Sequence, residues 1–191
     1  MDRWIGKVAL VTGASAGMGA AIAERLAMLG MQVFGCARNI KPIEELRVKL
    51  KAKADCKGSL VALHCDLTQE SQIIGMFSDI KETAGGVDVC VNNAGLSHKA
   101  PLVDGETEKW RNILEVNVLA PSITARETIA SLKERNLDHG HIIHINSISG
   151  HEVAPADAHF YSASKYAITA LTEGLRVELH QMKSQIRVSV S

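Results

Sequence analysis

The chain has 191 residues, of which 46% are apolar, enough to bury the core of one α/β domain. Lysine plus arginine and aspartate plus glutamate number 21 each, so there is no basic surplus of the kind that binds nucleic acid or an anionic membrane. No apolar run approaches the roughly 20 residues that span a bilayer, and residues 1–7 show no signal peptide. We expect one domain over residues 1–191, with no nucleic acid and no membrane span.

The cysteines and histidines offer little support for a metal or redox site. The four cysteines form no C-x-x-C pair, and three of them lie in apolar, strand-like segments. We interpret them as buried, reduced thiols of a cytoplasmic protein. His141 and His144 are an odd number of positions apart in a predicted strand, so their side chains would point to opposite faces. We predict no metal.

Short apolar segments alternate with amphipathic ones along the chain. Several of the apolar segments are continuous runs, the pattern of parallel strands that are covered on both faces. This alternation predicts an α/β fold with a doubly wound, Rossmann-type parallel sheet in three layers. The predicted strands are 7–12, 32–37, 60–65, 87–91, 141–146 and 186–190, and the predicted helices are 16–29, 43–53, 71–82, 108–135 and 161–182.

The first predicted strand runs into a glycine-rich turn, and a helix follows it. Glycines permit a tight turn and the close approach of a pyrophosphate, while the N-terminus of the helix offers free N–H groups to an anion. The turn therefore favours a dinucleotide site, although a glycine-containing turn without a ligand has the same pattern. The glycines concerned are Gly13, Gly17 and Gly19.

The second predicted strand ends close to Arg38. An acidic residue at this place would hold the ribose hydroxyls of NAD, and none is present. An arginine can instead pair with the 2′-phosphate of NADP. We expect NADP rather than NAD; the alternative is a solvated surface arginine.

Tyr161 and Lys165 are four residues apart in the last predicted helix, so both side chains project from one face. A phenol is a poor base at neutral pH, and a nearby ammonium favours the phenolate. The pair predicts a general acid/base for an alcohol or a carbonyl, a role that contributes roughly 10²–10⁴-fold to a rate. The alternative is an exposed helical pair without a function.

Taken together, these segments resemble the single-domain, NADP-dependent branch of the short-chain dehydrogenase/reductase family. The G-x-x-x-G-x-G spacing at 13–19, the N-N-A-G motif at 92–95 and the Y-S-A-S-K segment at 161–165 support the resemblance, which covers essentially the whole chain. It implies that a hydride passes between the nicotinamide and a substrate carbon. Tyr161 would handle the proton, and Lys165 would also bind the nicotinamide ribose.

The resemblance implies roles for other residues as well. Ser147 would hold the substrate oxygen, with Ser149 as the competing candidate, and the backbone carbonyl of Asn117 would hold a water that leads to Lys165. Asp66 would bind the adenine amino group, although a carboxylate that caps the next turn is an equal alternative. In the glycine turn, the resemblance implies cofactor contacts from Gly13, Ser15, Met18 and Gly19. The remaining implied cofactor contacts are Leu67, Asn93, Ala94 and Gly95.

Segments such as 35–38, 76–78 and 147–151 resemble a narrower group that includes the insect farnesol dehydrogenases. This resemblance implies a lipophilic alcohol or ketone, such as farnesol or a steroid- or retinoid-like ketone. The family pairs its two long helices across a twofold axis, which implies a homodimer or homotetramer. The alternative is that part of this helix face packs against the sheet of its own chain.

Members of the family continue past the sixth strand into a Pro-Gly turn, a substrate-covering segment and a seventh strand. We therefore expect a C-terminally truncated enzyme whose sheet lacks its last strand, with weak NADP binding and slow turnover. One competing hypothesis is a catalytically impaired dinucleotide-binding fragment or scaffold. Another is an epimerase or dehydratase, although those relatives use a differently spaced glycine motif.

Overall fold

A computed structural model describes residues 2–153 and 157–191. A 3₁₀ turn (Asp2–Trp4) precedes the first strand, a π-helical turn (Glu115–Leu119) joins the fourth and fifth helices, and a second 3₁₀ turn (Ile148–Gly150) follows the fifth strand. The strands are β1 (Val8–Thr12), β2 (Gln32–Ala37), β3 (Ser59–His64), β4 (Val89–Asn92), β5 (His141–His144) and β6 (Arg187–Val190). The helices are α1 (Gly17–Met28), α2 (Lys41–Lys51), α3 (Glu70–Ala84), α4 (Thr107–Leu114), α5 (Ala120–Glu134) and α6 (His159–Gln181).

The strands of the described residues form one parallel sheet in the order β3-β2-β1-β4-β5-β6. The chain winds outward from β1 to β3 and then returns to place β4 on the other side of β1. This reversal opens a crevice at the carboxyl ends of β1 and β4, where ligands bind in open α/β sheets. The predicted doubly wound parallel sheet is confirmed.

Side chains of β1 alternate between two apolar clusters, one on each face of the sheet. Val8 and Leu10 pack into a cluster that includes side chains of α3 and α5. Ala9 and Val11 pack into the opposite cluster, with side chains of α1 and α2. All of β1 is buried, and the three-layer arrangement predicted from the continuous apolar run is therefore present.

The predicted helix 108–135 consists of α4, the π-helical turn and α5. Proline at position 121 has no N–H, so the carbonyl of Asn117 lacks its normal helical donor four residues later. A wider turn is a common response to such a break in the hydrogen-bond ladder. The π-helical turn thus ends two residues before Pro121. Elsewhere, α2 begins at Lys41 and contains Pro42, whereas the helix predicted from the sequence begins at residue 43.

The cysteines are free, with Cys56 half-buried and the other three buried. His141 meets the Ser189 hydroxyl at 2.8 Å, whereas His144 is buried 3.3 Å from the Asn92 amide nitrogen. Across residues 2–153 and 157–191, no group of three or more His, Cys, Asp or Glu side chains is arranged to hold a metal ion. In the same residues, no helix has both the length and the apolar character needed to cross a membrane.

Candidate active site

A crevice with a volume of about 540 Å³ opens at the carboxyl ends of the central strands. Most of the predicted cofactor-binding residues line this crevice: Gly13, Ser15, Gly17, Met18, Arg38, Asp66, Leu67, Asn93, Ala94 and Gly95. The other three predicted residues, Gly19, Tyr161 and Lys165, do not line it. The structure therefore brings together residues from four loops that are far apart in sequence.

The glycine turn needs its glycines for two different reasons. Gly13 and Gly17 have φ values of +66° and +54°, in the left-handed region that side chains disfavour. Gly19 is buried within α1, and a Cβ atom built on it would lie 2.3 Å from the Gly13 carbonyl oxygen and 2.4 Å from Nδ2 of Asn93. Gly19 therefore lets α1 start close against the turn, a packing role in addition to the cofactor contact that the resemblance implied.

Thr12 links the end of β1 to the end of β4 by hydrogen bonds. Its hydroxyl oxygen accepts the backbone N–H groups of Asn93 and Ala94, each at 3.0 Å. Asn93 Nδ2 donates in return to the carbonyls of Thr12 at 2.9 Å and Gly13 at 3.3 Å. Sequence reasoning missed Thr12 because a β-branched residue is ordinary in a strand; its place directly before Gly13 was the available signal.

Arg38 and Asp66 line the crevice from the ends of β2 and β3. Oδ1 of Asp66 accepts both the backbone N–H of Thr68 at 3.0 Å and the Thr68 hydroxyl at 2.9 Å. The backbone hydrogen bond from Thr68 is the main influence lowering the pKa of Asp66; its hydroxyl and the charge of Arg38 add to it, and partial burial opposes it. Asp66 therefore caps the turn that follows it, which was one of the two alternatives that the sequence left open. It also lines the crevice.

Tyr161 and Lys165 lie one turn apart at the start of α6. Nζ of Lys165 is 5.7 Å from the centre of the Tyr161 ring and donates to the Ile145 carbonyl at 2.9 Å. Lys165 is only 5% exposed, and burial lowers the pKa of its ammonium. A Cβ atom built on Gly95 would lie 3.8 Å from Nζ. The ammonium therefore lies beside Gly95, a residue that lines the crevice.

Asn117 is buried in the π-helical turn, and its side chain binds the loop after β4. Its Oδ1 accepts the N–H of Leu96 at 2.9 Å, and its Nδ2 donates to the Leu96 carbonyl at 2.8 Å. Nδ2 also donates to the hydroxyl of Ser164 at 3.0 Å. The resemblance implied a role for the Asn117 backbone carbonyl only, so these side-chain contacts were missed.

Ser147 follows β5 and begins the 3₁₀ turn, where its hydroxyl accepts the N–H of Ser149 at 3.1 Å. It lines a second cavity of about 610 Å³, which shares Met18 with the cofactor crevice. Ser149 does not line either cavity. The geometry therefore favours Ser147 over Ser149 as the residue that faces a ligand next to the glycine turn.

A family model described as short chain dehydrogenase matches residues 7–191. The chain belongs to the short-chain dehydrogenase family. It is 55% identical over 190 residues to Dehydrogenase/reductase SDR family member 11 of Gallus gallus, which covers 99% of this chain and 74% of that protein. It is 43% identical over 191 residues to Farnesol dehydrogenase of Aedes aegypti, covering 99% of this chain and 77% of the relative.

Solved structures agree with this short-chain dehydrogenase fold. A metagenomic short-chain oxidoreductase in complex with NADP superposes with a TM-score of 0.88 at 34% identity, covering 98% of this chain and 81% of the other. A short chain dehydrogenase/reductase from Burkholderia phymatum in complex with NAD gives a TM-score of 0.91 at 27% identity, covering 100% of this chain and 66% of the other. The short-chain dehydrogenase described here is thus an oxidoreductase with a Rossmann-like fold.

Proposed function

We propose that this short-chain dehydrogenase is an NADP-dependent enzyme that interconverts an alcohol and a carbonyl compound, with Tyr161 as the general acid/base. The observation that supports this most strongly is the buried ammonium of Lys165, 5.7 Å from the Tyr161 ring and next to Gly95 on the crevice wall. The candidate cofactor-binding and catalytic residues lie near the carboxyl ends of the strands of one sheet. Residues 1–191 are therefore proposed to act as a single NADP-binding and catalytic domain.

The residues around the glycine turn fit a dinucleotide. Helix α1 begins at Gly17 after Ala16, a residue whose side chain cannot cap it, so the first N–H groups of the helix are available to a pyrophosphate at the crevice. Ser15, Met18 and Asn93 would hold the dinucleotide from the surrounding wall. When bound, the cofactor supplies or accepts a hydride at its nicotinamide ring.

Arg38 supports NADP over NAD. Its exposed side chain lines the crevice at the end of β2, where it can pair with a 2′-phosphate. Solved relatives were crystallised with either cofactor, so the choice depends on such local residues rather than on the fold. Asp66 is proposed to meet the adenine from the neighbouring strand end.

The proton step is assigned to the chain's own side chains. The Lys165 ammonium lies 5.7 Å from the centre of the Tyr161 ring, and the Tyr161 oxygen is proposed to exchange a proton with the substrate oxygen. The Ser147 hydroxyl is proposed to hold that same oxygen while charge develops on it. The Asn117 carbonyl, which has no helical donor at Pro121, is proposed to hold a water that leads to Lys165.

The substrate is proposed to be a lipophilic alcohol or ketone. Large apolar side chains are exposed on the loops that follow β4 and β5, at the carboxyl ends of the strands. Leu102 and Val103 are 58% and 96% exposed, and Ile148 and Val153 are 71% and 67% exposed. Exposed apolar side chains on these loops suit a ligand such as farnesol or a steroid- or retinoid-like ketone. The 43% identity to an insect Farnesol dehydrogenase supports this class.

A homodimer or homotetramer is proposed through α5 and α6. The groove between these helices has a volume of about 590 Å³, and its lining includes small and apolar side chains such as Ala125, Ile129, Ala170 and Gly174. Leu171, on the same groove, is 45% exposed. Burying this face against a second copy would remove apolar surface from water. Sedimentation measurements on the parent protein and on Leu171→Glu test this proposal.

The decisive experiment compares the parent with Tyr161→Phe. Absorbance of NADPH is followed with farnesol and NADP, and then with a panel of ketones and NADPH. Tyr161→Phe removes one hydroxyl, so we expect kcat to fall by about 10²-fold or more with NADPH binding, measured by fluorescence, unchanged. Tyr166→Phe makes the same chemical change five residues later, where the hydroxyl donates to the His151 carbonyl, and should keep activity. Equal rates for Tyr161→Phe and the parent would reject the assignment.

A further inference from the structure

Ser164 is a hydroxyl buried inside α6, between Tyr161 and Lys165 in sequence. Its side chain is 0% exposed. The hydroxyl donates to the Tyr161 carbonyl at 2.7 Å and accepts Nδ2 of Asn117 at 3.0 Å. Ser164 thus connects the helix that holds the proposed catalytic pair with the π-helical turn.

The hydroxyl of Ser164 and the backbone of Leu96 favour the same orientation of the Asn117 amide. A serine hydroxyl has one proton, and here that proton goes to the Tyr161 carbonyl. The oxygen of Ser164 can therefore only accept from Asn117, which requires the amide nitrogen rather than the amide oxygen to face it. In this orientation Nδ2 also donates to the Leu96 carbonyl at 2.8 Å, and Oδ1 accepts the N–H of Leu96 at 2.9 Å.

The orientation of the Asn117 amide affects the wall of the cofactor crevice. Leu96 directly follows Gly95, and both line the cofactor crevice. A Cβ atom built on Gly95 would lie 3.5 Å from Oδ1 of Asn117 and 3.8 Å from Nζ of Lys165. A change in the Asn117 amide would therefore alter the spacing between this wall and the ammonium.

We propose that Ser164 is a positioning residue for this enzyme: its hydroxyl adds a third contact that keeps the Asn117 amide in place, and that amide holds the Gly95–Leu96 wall beside Lys165. The kinetic consequence rests on the proposed function, whereas the link from Ser164 to Leu96 can be measured without turnover. Ser164 itself acts only through Asn117 and the backbone.

The test variant is Ser164→Ala, which leaves one donor of the buried Asn117 amide without a partner. The matched control is Thr172→Val, because Thr172 is also 0% exposed in α6 and its hydroxyl donates to the Ile168 carbonyl of its own helix at 2.7 Å. Both variants lose one buried hydroxyl from the same helix. Urea unfolding of each identifies any general loss of stability.

Two readouts are compared in the full chain. The first is hydrogen exchange at the Leu96 amide, which we expect to become about tenfold faster in Ser164→Ala, relative to the amides of β1, as its acceptor is held less firmly. The amides of β1 report global unfolding, so this comparison separates the local change from a general loss of stability. The second readout is turnover, where we expect kcat to fall about tenfold because the wall is misplaced. The Kd for NADPH should stay within about threefold, since the glycine turn and Arg38 are untouched.

The outcomes separate this inference from the proposed function. Faster Leu96 exchange and lower kcat in Ser164→Ala, with Thr172→Val like the parent, support the positioning role. Parent-like Leu96 exchange in Ser164→Ala overturns it, and so does faster exchange with an unchanged kcat. If Leu96 exchange accelerates as expected but the parent turns over no alcohol or ketone, the structural link is upheld and the proposed function fails instead.

Discussion

The ammonium of Lys165 is held between the Tyr161 ring, 5.7 Å from its centre, and the carbonyl of Ile145, which accepts its hydrogen bond at 2.9 Å. The first contact is local to α6, whereas the second comes from the end of β5, 20 residues earlier in the chain. Helix geometry alone places the two side chains on one face. The strand end then keeps the charge beside the phenol and limits its movement.

Replacing Lys165 with methionine should lower kcat by about 10²–10⁴-fold at neutral pH. The neutral side chain removes the ammonium whose nitrogen lies 5.7 Å from the centre of the Tyr161 ring. Steady-state rates with NADP and an alcohol at about pH 7 measure this effect. A Lys165→Met enzyme with the parent's rate would contradict the assigned role.

Replacing Arg38 with leucine should weaken NADPH binding by about 10- to 100-fold, because a charge-assisted hydrogen bond is worth roughly 1.5–3 kcal/mol. The Kd for NADH should stay the same, because NADH has no 2′-phosphate. Arg25→Leu changes an exposed arginine in the last turn of α1 and serves as the control. Fluorescence titration with both cofactors measures the ratio of the Kd for NADPH to the Kd for NADH. Equal losses for NADH and NADPH would argue that Arg38 does not read the phosphate.

Replacing Gly19 with alanine should destabilise the protein by about 1–3 kcal/mol and weaken NADPH binding. The new methyl group would lie 2.3 Å from the Gly13 carbonyl oxygen, so the glycine turn must move. Gly75→Ala in α3 meets nothing within 4 Å and should instead stabilise by about 0.5–1 kcal/mol through helix propensity. Urea unfolding of both variants tests this contrast. Similar stability changes for Gly19→Ala and Gly75→Ala would show that the turn adapts freely.

The stability of the protein should depend on pH through His144. Burial first, and the charge of Lys165 second, lower the pKa of His144 from 6.5 to about 4. Protonation of His144 is therefore less favourable in the folded state than in the unfolded state. The protein keeps its full stability above about pH 6.5 and loses stability as the pH falls toward 4. Between pH 8 and pH 5 the loss should be about 2 kcal/mol.

Urea unfolding at pH 8 and pH 5 measures this dependence. His144→Gln should remove about 2 kcal/mol of the pH difference, whatever its stability at pH 8. The exposed His139 provides the control, since His139→Gln should keep the parent's dependence. An undiminished pH difference in His144→Gln would assign the effect to other groups.

The sequence by itself was sufficient for the order of the elements and for the local features of the site. Continuous apolar runs predicted the buried parallel strands, and the i, i+4 spacing predicted the shared face of Tyr161 and Lys165. The glycine turn was also evident because left-handed backbone conformations and close approaches need glycine at particular positions. All of these depend on the chemistry of residues close together in the chain.

Tertiary structure alone decided the contacts that hold the site together. The hydroxyl of Thr12 accepts the N–H of Asn93 from 81 positions away, and Ser164 meets Asn117 across 47 positions. Such pairs leave no periodic pattern, because their partners are chosen by the strand order and by the packing of α6 against the π-helical turn. Hydrogen bonds between distant segments form only after the sheet has brought those segments together, which is why the residue types alone did not reveal them.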